Sequence, residues 1–281
     1  MQLQVSKSVI EQAARRKKEE ERLKNFTGVK YDIVVPVSGG KDSQACLKLA
    51  VEKVGCSKVL GLFCDTQFEH PLTYKHVEKL KTLYGEVRID TINDGSVPER
   101  VREFGMFPGG GKRHCTSRLK IYPSKKYYHA LAESQGGFEV WYGMRSGESG
   151  ERRTRYFGKV GEDLYPPHEV SVMFPKQLNK MGVWFRLPVL EWSEEDVLEY
   201  LGEEKNPLYS QGFGRVGCFP CLASGDKWKE KAFNHDEFGR KQYEIVKILE
   251  KDIGKSIWTS KGGKERNAAK EDNPGCSFCQ M

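Results

Sequence analysis

Apolar residues fall in short runs separated by amphipathic stretches, and between residues 31 and 91 the two kinds alternate. Residues 31–37, 58–63 and 86–91 read as strands, and residues 43–53 and 71–84 read as helices. In the second helix Val77, Leu80 and Tyr84 recur at helical spacing and give one face to a sheet. Strands alternating with helices predict right-handed crossovers and an α/β fold, a parallel twisted sheet with helices on both faces. Further strands are expected at 138–142 and 184–189, and Ser193 opens a helix with a capping-box turn in which Asp196 replaces the usual Glu or Gln. Residues 151–182 are polar, contain proline and lack a period, so a long surface loop or mobile lid is expected there. Residues 8–24 are dense in Glu, Lys and Arg and predict a solvated helix. From Cys218 onward apolar residues are few, and compact folding of that stretch calls for a staple. Three units are expected: a charged helix at 1–27, an α/β domain at 28–215 and a cysteine-rich extension at 216–281.

The 281 residues are 38% hydrophobic and 30% charged, in keeping with a soluble chain. No run is long enough to span a bilayer, and the first seven residues lack the apolar stretch of a secretory signal. A cytoplasmic location without a membrane partner is expected. A net charge of +7 favours anionic partners, nucleotides or a nucleic acid, although Lys and Arg are spread along the chain. Four of the eight cysteines form two C-x-x-C pairs, which points to metal in preference to disulfides in a reducing compartment.

Ser38-Gly39-Gly40-Lys41-Asp42-Ser43 joins the first strand to the first helix. Two glycines let the backbone approach an anion, and the helix turns its unpaired N–H groups and positive dipole end toward it. Ser38 and Ser43 add hydroxyls and Lys41 a point charge. The spacing fits neither G-x-x-x-x-G-K-[ST] nor G-x-G-x-x-G. A plain turn capped by Asp42 or Ser43 is the simpler alternative. The loop resembles the pyrophosphate-binding loop of the PP-loop ATP pyrophosphatases, which split ATP between its α and β phosphates. That resemblance implies the adenine nucleotide alpha-hydrolase-like variety of Rossmann-like fold.

Three further segments extend the resemblance to the phosphoadenosine phosphosulfate reductase branch of these proteins, over about residues 31–221. Asp65-Thr66-Gln67-Phe68-Glu69-His70-Pro71 follows the second strand, with Gln67 where the family pattern has glycine. Arg113-His114-Cys115-Thr116-Ser117-Arg118-Leu119-Lys120 is similar to the family's basic segment, and Gly143-Met144-Arg145-Ser146-Gly147-Glu148 continues to Arg152 in the pattern G-x-R-x-x-E-S-x-x-R. The resemblance implies that Asp65 and Thr66 hold nucleotide hydroxyl or amino groups. Arg113 and Lys120 would hold phosphate or sulfate. Gly143 permits close approach, Arg145 reaches phosphate, Glu148 orients that arginine and Arg152 closes over the ligand. Cys115 is open to three readings: a metal ligand, a sulfur-handling thiol or a small buried residue.

Cys218, Cys221, Cys276 and Cys279 offer four thiolates, suited to Zn²⁺ or a [4Fe–4S] cluster. A three-cysteine site of Cys115, Cys218 and Cys221, with Cys276 and Cys279 as a mobile redox pair, is the alternative. The intact loop and the absence of the reductases' E-C-G-x-H motif imply ATP pyrophosphatase activity with Mg²⁺, adenylating an acceptor for sulfur transfer. In this it is similar to the pyrophosphatase component of DNA phosphorothioation or to tRNA thiolation enzymes. Lys41, Asp42, Arg145 and Cys115 are the expected catalytic residues, with Asp42 helping to place the magnesium ion. A DNA or tRNA acceptor and a cysteine desulfurase or thioredoxin-like protein are the expected partners. Phosphoadenosine phosphosulfate reduction to sulfite, and a metal-stapled nucleotide-binding regulator without catalysis, are the alternatives.

Overall fold

Five strands, β1 (Ile33–Val37), β2 (Val59–Cys64), β3 (Arg88–Ile92), β4 (Phe138–Trp141) and β5 (Val183–Arg186), pair in parallel in the order β3-β2-β1-β4-β5. The computed structural model describes residues 30–109 and 112–258, so the expected N-terminal helix, Cys276 and Cys279 lie outside the described residues. The principal helices are α1 (Lys41–Val54), α2 (Pro71–Leu83), α3 (Val97–Phe104), α4 (Tyr122–Gln135), α5 (Gly150–Arg155), α6 (Glu194–Leu201), α7 (Asp226–Phe233) and α8 (Glu237–Ile253).

Both faces of the sheet are covered, as the near-continuous apolar runs of β1 and β2 require. Val34, Leu60, Leu62 and Val140 pack toward α4 on one side, and Ile33, Val35, Val59 and Phe63 pack toward α1, α2 and α6 on the other. Strand order reverses at β1, which pairs with β2 on one side and β4 on the other. Ligands in such sheets bind beyond the carboxyl ends at that switch point. Pro36 sharpens the opening there: it has no N–H to donate, and the register of β1 with β4 stops earlier, at Val34↔Val140.

Two segments differ from expectation. Residues 151–182 are not a surface loop throughout, because Arg152, Tyr156, Val170, Phe174 and Leu178 are buried and the last four belong to the α4-side core. Short helices carry Arg152, Val170 and Leu178, turns carry Tyr156 and Phe174, and the apolar positions are too widely spaced to show a period. Residues 218–258 likewise hold buried apolar residues, in a core shared with the sheet's loops: Leu222, Phe233, Val246, Leu249 and Ile257 pack against Phe68 and against Val97 and Val101 of α3.

His76 of α2 is buried beside Gln44 of α1, with Nε2 and Gln44 Oε1 2.8 Å apart. Burial, helped by Lys79, lowers its pKa to about 4. The neutral ring is thus favoured in the fold, so its stabilisation is complete above the unfolded value of ~6.5 and is lost as pH falls from there through about 4. Buried Glu69, whose pKa is raised by burial, acts in the opposite sense, so the test is a difference. Urea titrations of wild type and His76→Gln should show the wild-type advantage shrinking by about 2 kcal/mol between about pH 7 and 4.5. A constant difference would refute the assignment.

Candidate functional site

The loop at residues 38–43 lies at the switch point and is held mostly by its own hydroxyls. Gly39 takes φ +75°, and a Cβ there would sit 2.6 Å from Thr73 Cγ2 of α2. Ser38 N–H donates to Ser43 Oγ at 3.1 Å, Gly40 N–H to Ser38 Oγ at 3.3 Å, and Ser43 Oγ–H to Gly40 O at 2.9 Å. A strap at residues 206–216 grips the loop from outside. Asn206 Nδ2 donates to Gly39 O at 3.1 Å, and the backbone N–H of Lys41 donates to Tyr209 Oη at 2.9 Å. Lys41 Nζ donates to Gly214 O at 3.1 Å, pairs with Glu194 Oε1 at 2.9 Å and lies 4.9 Å from the Tyr209 ring centre. Burial, and then the Asp42 carboxylate, raise the Tyr209 pKa, so its hydroxyl keeps a proton to donate to a ligand oxygen.

Asp42 is fully buried and Arg145 nearly so, with Arg145 Nε donating to Asp42 Oδ1 at 2.5 Å. Gly143 brings β4's exit against this loop: a Cβ there would lie 2.5 Å from Asp42 C and O and 2.6 Å from Ser43 N. The close approach is therefore to the loop's backbone. Glu148 pairs with Arg152, which is buried at the base of α5. The carboxylate on Arg145 is Asp42.

At the end of β2, Glu69 gathers the turn. Its carboxylate accepts from Thr66 Oγ1 at 2.6 Å, from Thr66 N and Phe68 N at 3.2 Å each, and from Tyr74 Oη at 3.2 Å. Asp65 Oδ1 accepts from Gln67 N at 2.8 Å and Tyr74 Oη at 2.7 Å. Lys120, on a π-helical turn at Ser117–Ile121, lines a crevice with Ser38, Cys64 and Glu69. Its ammonium opposes the effect of burial on Glu69. Gln67 has φ +54°, the left-handed conformation that glycine adopts without cost. Gln67→Gly should thus raise stability by about 0.5–1 kcal/mol, read as a higher urea midpoint at unchanged slope; a midpoint at or below that of wild type would refute the strain.

Arg113 is half-buried at the start of the short helix His114–Thr116. Cys115 and Cys218 both pack at the margin of the apolar cluster around Phe68. Cys218 reaches the β2 turn, with Sγ 3.3 Å from Thr66 Oγ1 and 3.7 Å from Glu69 Oε1, and its backbone bridges to Glu69. Among the described residues no group of three His, Cys, Asp or Glu side chains converges as metal ligands. These residues supply only two of the four expected thiolates, Cys218 and Cys221, so they do not by themselves make a metal centre. Asp42, held by Arg145, does not fit a magnesium ligand as placed.

Sequence reasoning missed Asn206, Tyr209, Gly214 and Glu194, which reach the loop from over 150 residues away. Glu69 stood in a quoted motif without a role.

A family model described as phosphoadenosine phosphosulfate reductase domain matches residues 32–224. An uncharacterized protein of Methanocaldococcus jannaschii is 32% identical over 201 residues, which are 70% of this chain and 38% of that protein. The adenosine 5'-phosphosulfate reductase of Anoxybacillus flavithermus is 26% identical over 169 residues, 58% of this chain and 61% of the reductase. The chain thus spans less than two thirds of either relative. A phosphoadenylyl-sulfate reductase structure from Candida auris aligns with TM-score 0.42 at 15% identity, covering 78% of this chain and 98% of that one. The U34-tRNA thiolase of Methanococcus maripaludis aligns with TM-score 0.35 at 16% identity, covering 90% and 80%. Among the described residues no helix is long and apolar enough to cross a membrane.

Proposed function

The chain belongs to the phosphoadenosine phosphosulfate reductase domain family, and on that premise we propose that it is an ATP pyrophosphatase that adenylates an acceptor for sulfur transfer. One observation carries the reading: residues 38–43 form a complete anion loop at the sheet's switch point, with Lys41 at the first position of α1. In the proposed reaction an acceptor oxygen attacks the α-phosphorus of ATP, the α–β bridging P–O bond breaks, and pyrophosphate leaves with the electron pair. Lys41 Nζ, on exchanging Glu194 and Gly214 O for phosphate oxygens, offsets the charge growing on that leaving group. The loop N–H groups and the Tyr209 hydroxyl orient it. Arg145, fixed by Asp42, faces the α-phosphate, Lys120 holds a phosphate oxygen, and the Asp65-Thr66 turn holds the nucleoside end.

On this reading Cys218 and Cys221 join Cys276 and Cys279 to hold Zn²⁺ or a [4Fe–4S] cluster as a staple, and the acceptor is a nucleic acid, as in DNA phosphorothioation or tRNA thiolation. A cysteine desulfurase or thioredoxin-like protein is the proposed partner, and the cytoplasm the proposed location. The reductase name of the Anoxybacillus relative supports a second reading, reduction of a sulfonucleotide to sulfite with Cys115 as the thiol.

The protein is incubated with ATP, Mg²⁺ and candidate tRNA or DNA, and separately with phosphoadenosine phosphosulfate and reduced thioredoxin. Pyrophosphate is the expected product, and Lys41→Met should slow its release by about 10²–10³-fold. Sulfite formed without ATP would overturn the proposal in favour of reduction. Tight ATP binding with neither product would favour the regulator.

A further inference from the structure

A carboxylate of the chain itself faces the phosphate loop. Glu194 Oε1 lies 2.9 Å from Lys41 Nζ, the ammonium that the proposed reaction sets against the leaving pyrophosphate. The two ends of this contact differ. The Lys41 side chain is 4% exposed and also donates to Gly214 O, whereas the Glu194 side chain is 48% exposed. Lys41 is therefore held in place, while the Glu194 carboxylate can turn into water at little cost.

The backbone beneath Glu194 is fixed. Ser193 caps α6, with Asp196 N–H donating to Ser193 Oγ at 3.0 Å and Ser193 N–H to Asp196 Oδ2 at 2.7 Å. Val197 and Leu201 of the same helix are buried in the core that includes Ala45 and Leu47 of α1. The helix thus sets Glu194 beside the loop whichever way its carboxylate points. Burial, Asp42 and, more weakly, the Glu194 carboxylate raise the Tyr209 pKa. One carboxylate therefore faces both side chains that the proposed reaction turns toward pyrophosphate. Asp42 is not its equal, because Arg145 holds that carboxylate. A carboxylate and a phosphate oxygen seek the same ammonium, and like charges at that spacing repel.

We infer that Glu194 is a positioning residue that competes with phosphate for Lys41: it holds the ammonium until nucleotide enters, swings aside, and retakes Lys41 as pyrophosphate leaves. The loop then releases its product instead of keeping it. The role in turnover rests on the adenylation reading, but the competition needs only that the loop binds pyrophosphate.

The test is calorimetric titration of the intact chain with sodium pyrophosphate, free of divalent cations, in wild type, Glu194→Gln and Glu195→Gln. Glutamine at 194 keeps the size of the side chain and loses its charge. Glu195 is exposed in the same first turn, so Glu195→Gln makes the same change of net charge without touching the contact to Lys41. Glu194→Gln should bind pyrophosphate at least about fivefold more tightly than wild type, and Glu195→Gln within about twofold of it. Glu194→Ala, a second way to remove the charge, should show the same gain. Because the Glu194 side chain is half-exposed, the gap should narrow as ionic strength rises from about 0.01 to 0.15 M. Four results would each overturn the inference: no pyrophosphate binding at millimolar concentration, no gain in Glu194→Gln and Glu194→Ala, an equal gain in Glu195→Gln, or a gap that salt leaves unchanged, the mark of a rearranged loop. In turnover, added pyrophosphate should inhibit Glu194→Gln at about fivefold lower concentration than wild type. Tighter binding in Glu194→Gln without pyrophosphate formation from ATP and any acceptor would remove the adenylation reading and keep the competition; pyrophosphate formation with unchanged affinity would do the reverse.

Discussion

Asp42→Asn should lower the unfolding free energy by about 3–5 kcal/mol, because it leaves the Arg145 guanidinium buried without its carboxylate. Asp42 is 0% exposed and Arg145 5%, so water screens neither charge. Arg145→Met exposes the converse problem, an uncompensated carboxylate beneath the phosphate loop, and should cost a similar amount. The double variant Asp42→Leu with Arg145→Met removes both charges and should recover most of the stability, since a buried pair contributes little net against apolar packing. Activity should not return with it. Urea unfolding measures the first effect and pyrophosphate release the second. Single variants within ~0.5 kcal/mol of wild type would show that the pair is not a buried ion pair in solution.

Gly143→Ala should be nearly as damaging for a steric reason. The added methyl would sit 2.5 Å from the Asp42 carbonyl and 2.6 Å from Ser43 N, where the neighbour is backbone and cannot rotate away. Overpacking of this kind costs about 1–3 kcal/mol. Its larger effect falls on function, since a displacement of order 1 Å in the loop can cost ~10²-fold in rate. Gly147→Ala is the control, because a Cβ at Gly147 meets nothing within 4 Å. ATP affinity and turnover should fall for Gly143→Ala and stay at wild-type level for Gly147→Ala. Equal behaviour of the two variants would refute the steric account.

Strands β1 and β2 were legible as short apolar runs followed by turn signals, and the others by their Ile, Val, Phe and Trp content. The expected strand at 31–37 contains the observed Ile33–Val37, whereas the strand order, and with it the switch point at β1, came only from the folded chain. The loop at 38–43 was legible too: its residues are consecutive and its glycines carry the geometry. What the sequence hid was long-range. Tyr209 lies 168 residues from Lys41, yet its hydroxyl accepts from the Lys41 N–H. Glu194 stands in the first turn of α6, yet it pairs with Lys41. Gln67 looked like a weakening of the family pattern, but the backbone keeps the left-handed turn and the side chain tolerates it. Pairings between distant side chains leave no period, so they appear only once the chain is folded.

The strap has a consequence for how the protein comes into being. Asn206, Tyr209 and Gly214 meet the loop across sequence separations of 167, 168 and 173 residues. All five strands of the described sheet end by Arg186, so a nascent chain halted just beyond it holds that whole sheet but none of these three residues. The loop then keeps Lys41 N–H and Gly39 O without their distant partners. The outer ties of the loop can therefore form only once residue 214 has been synthesised, and the segment that follows the strap brings Cys218 beside Glu69.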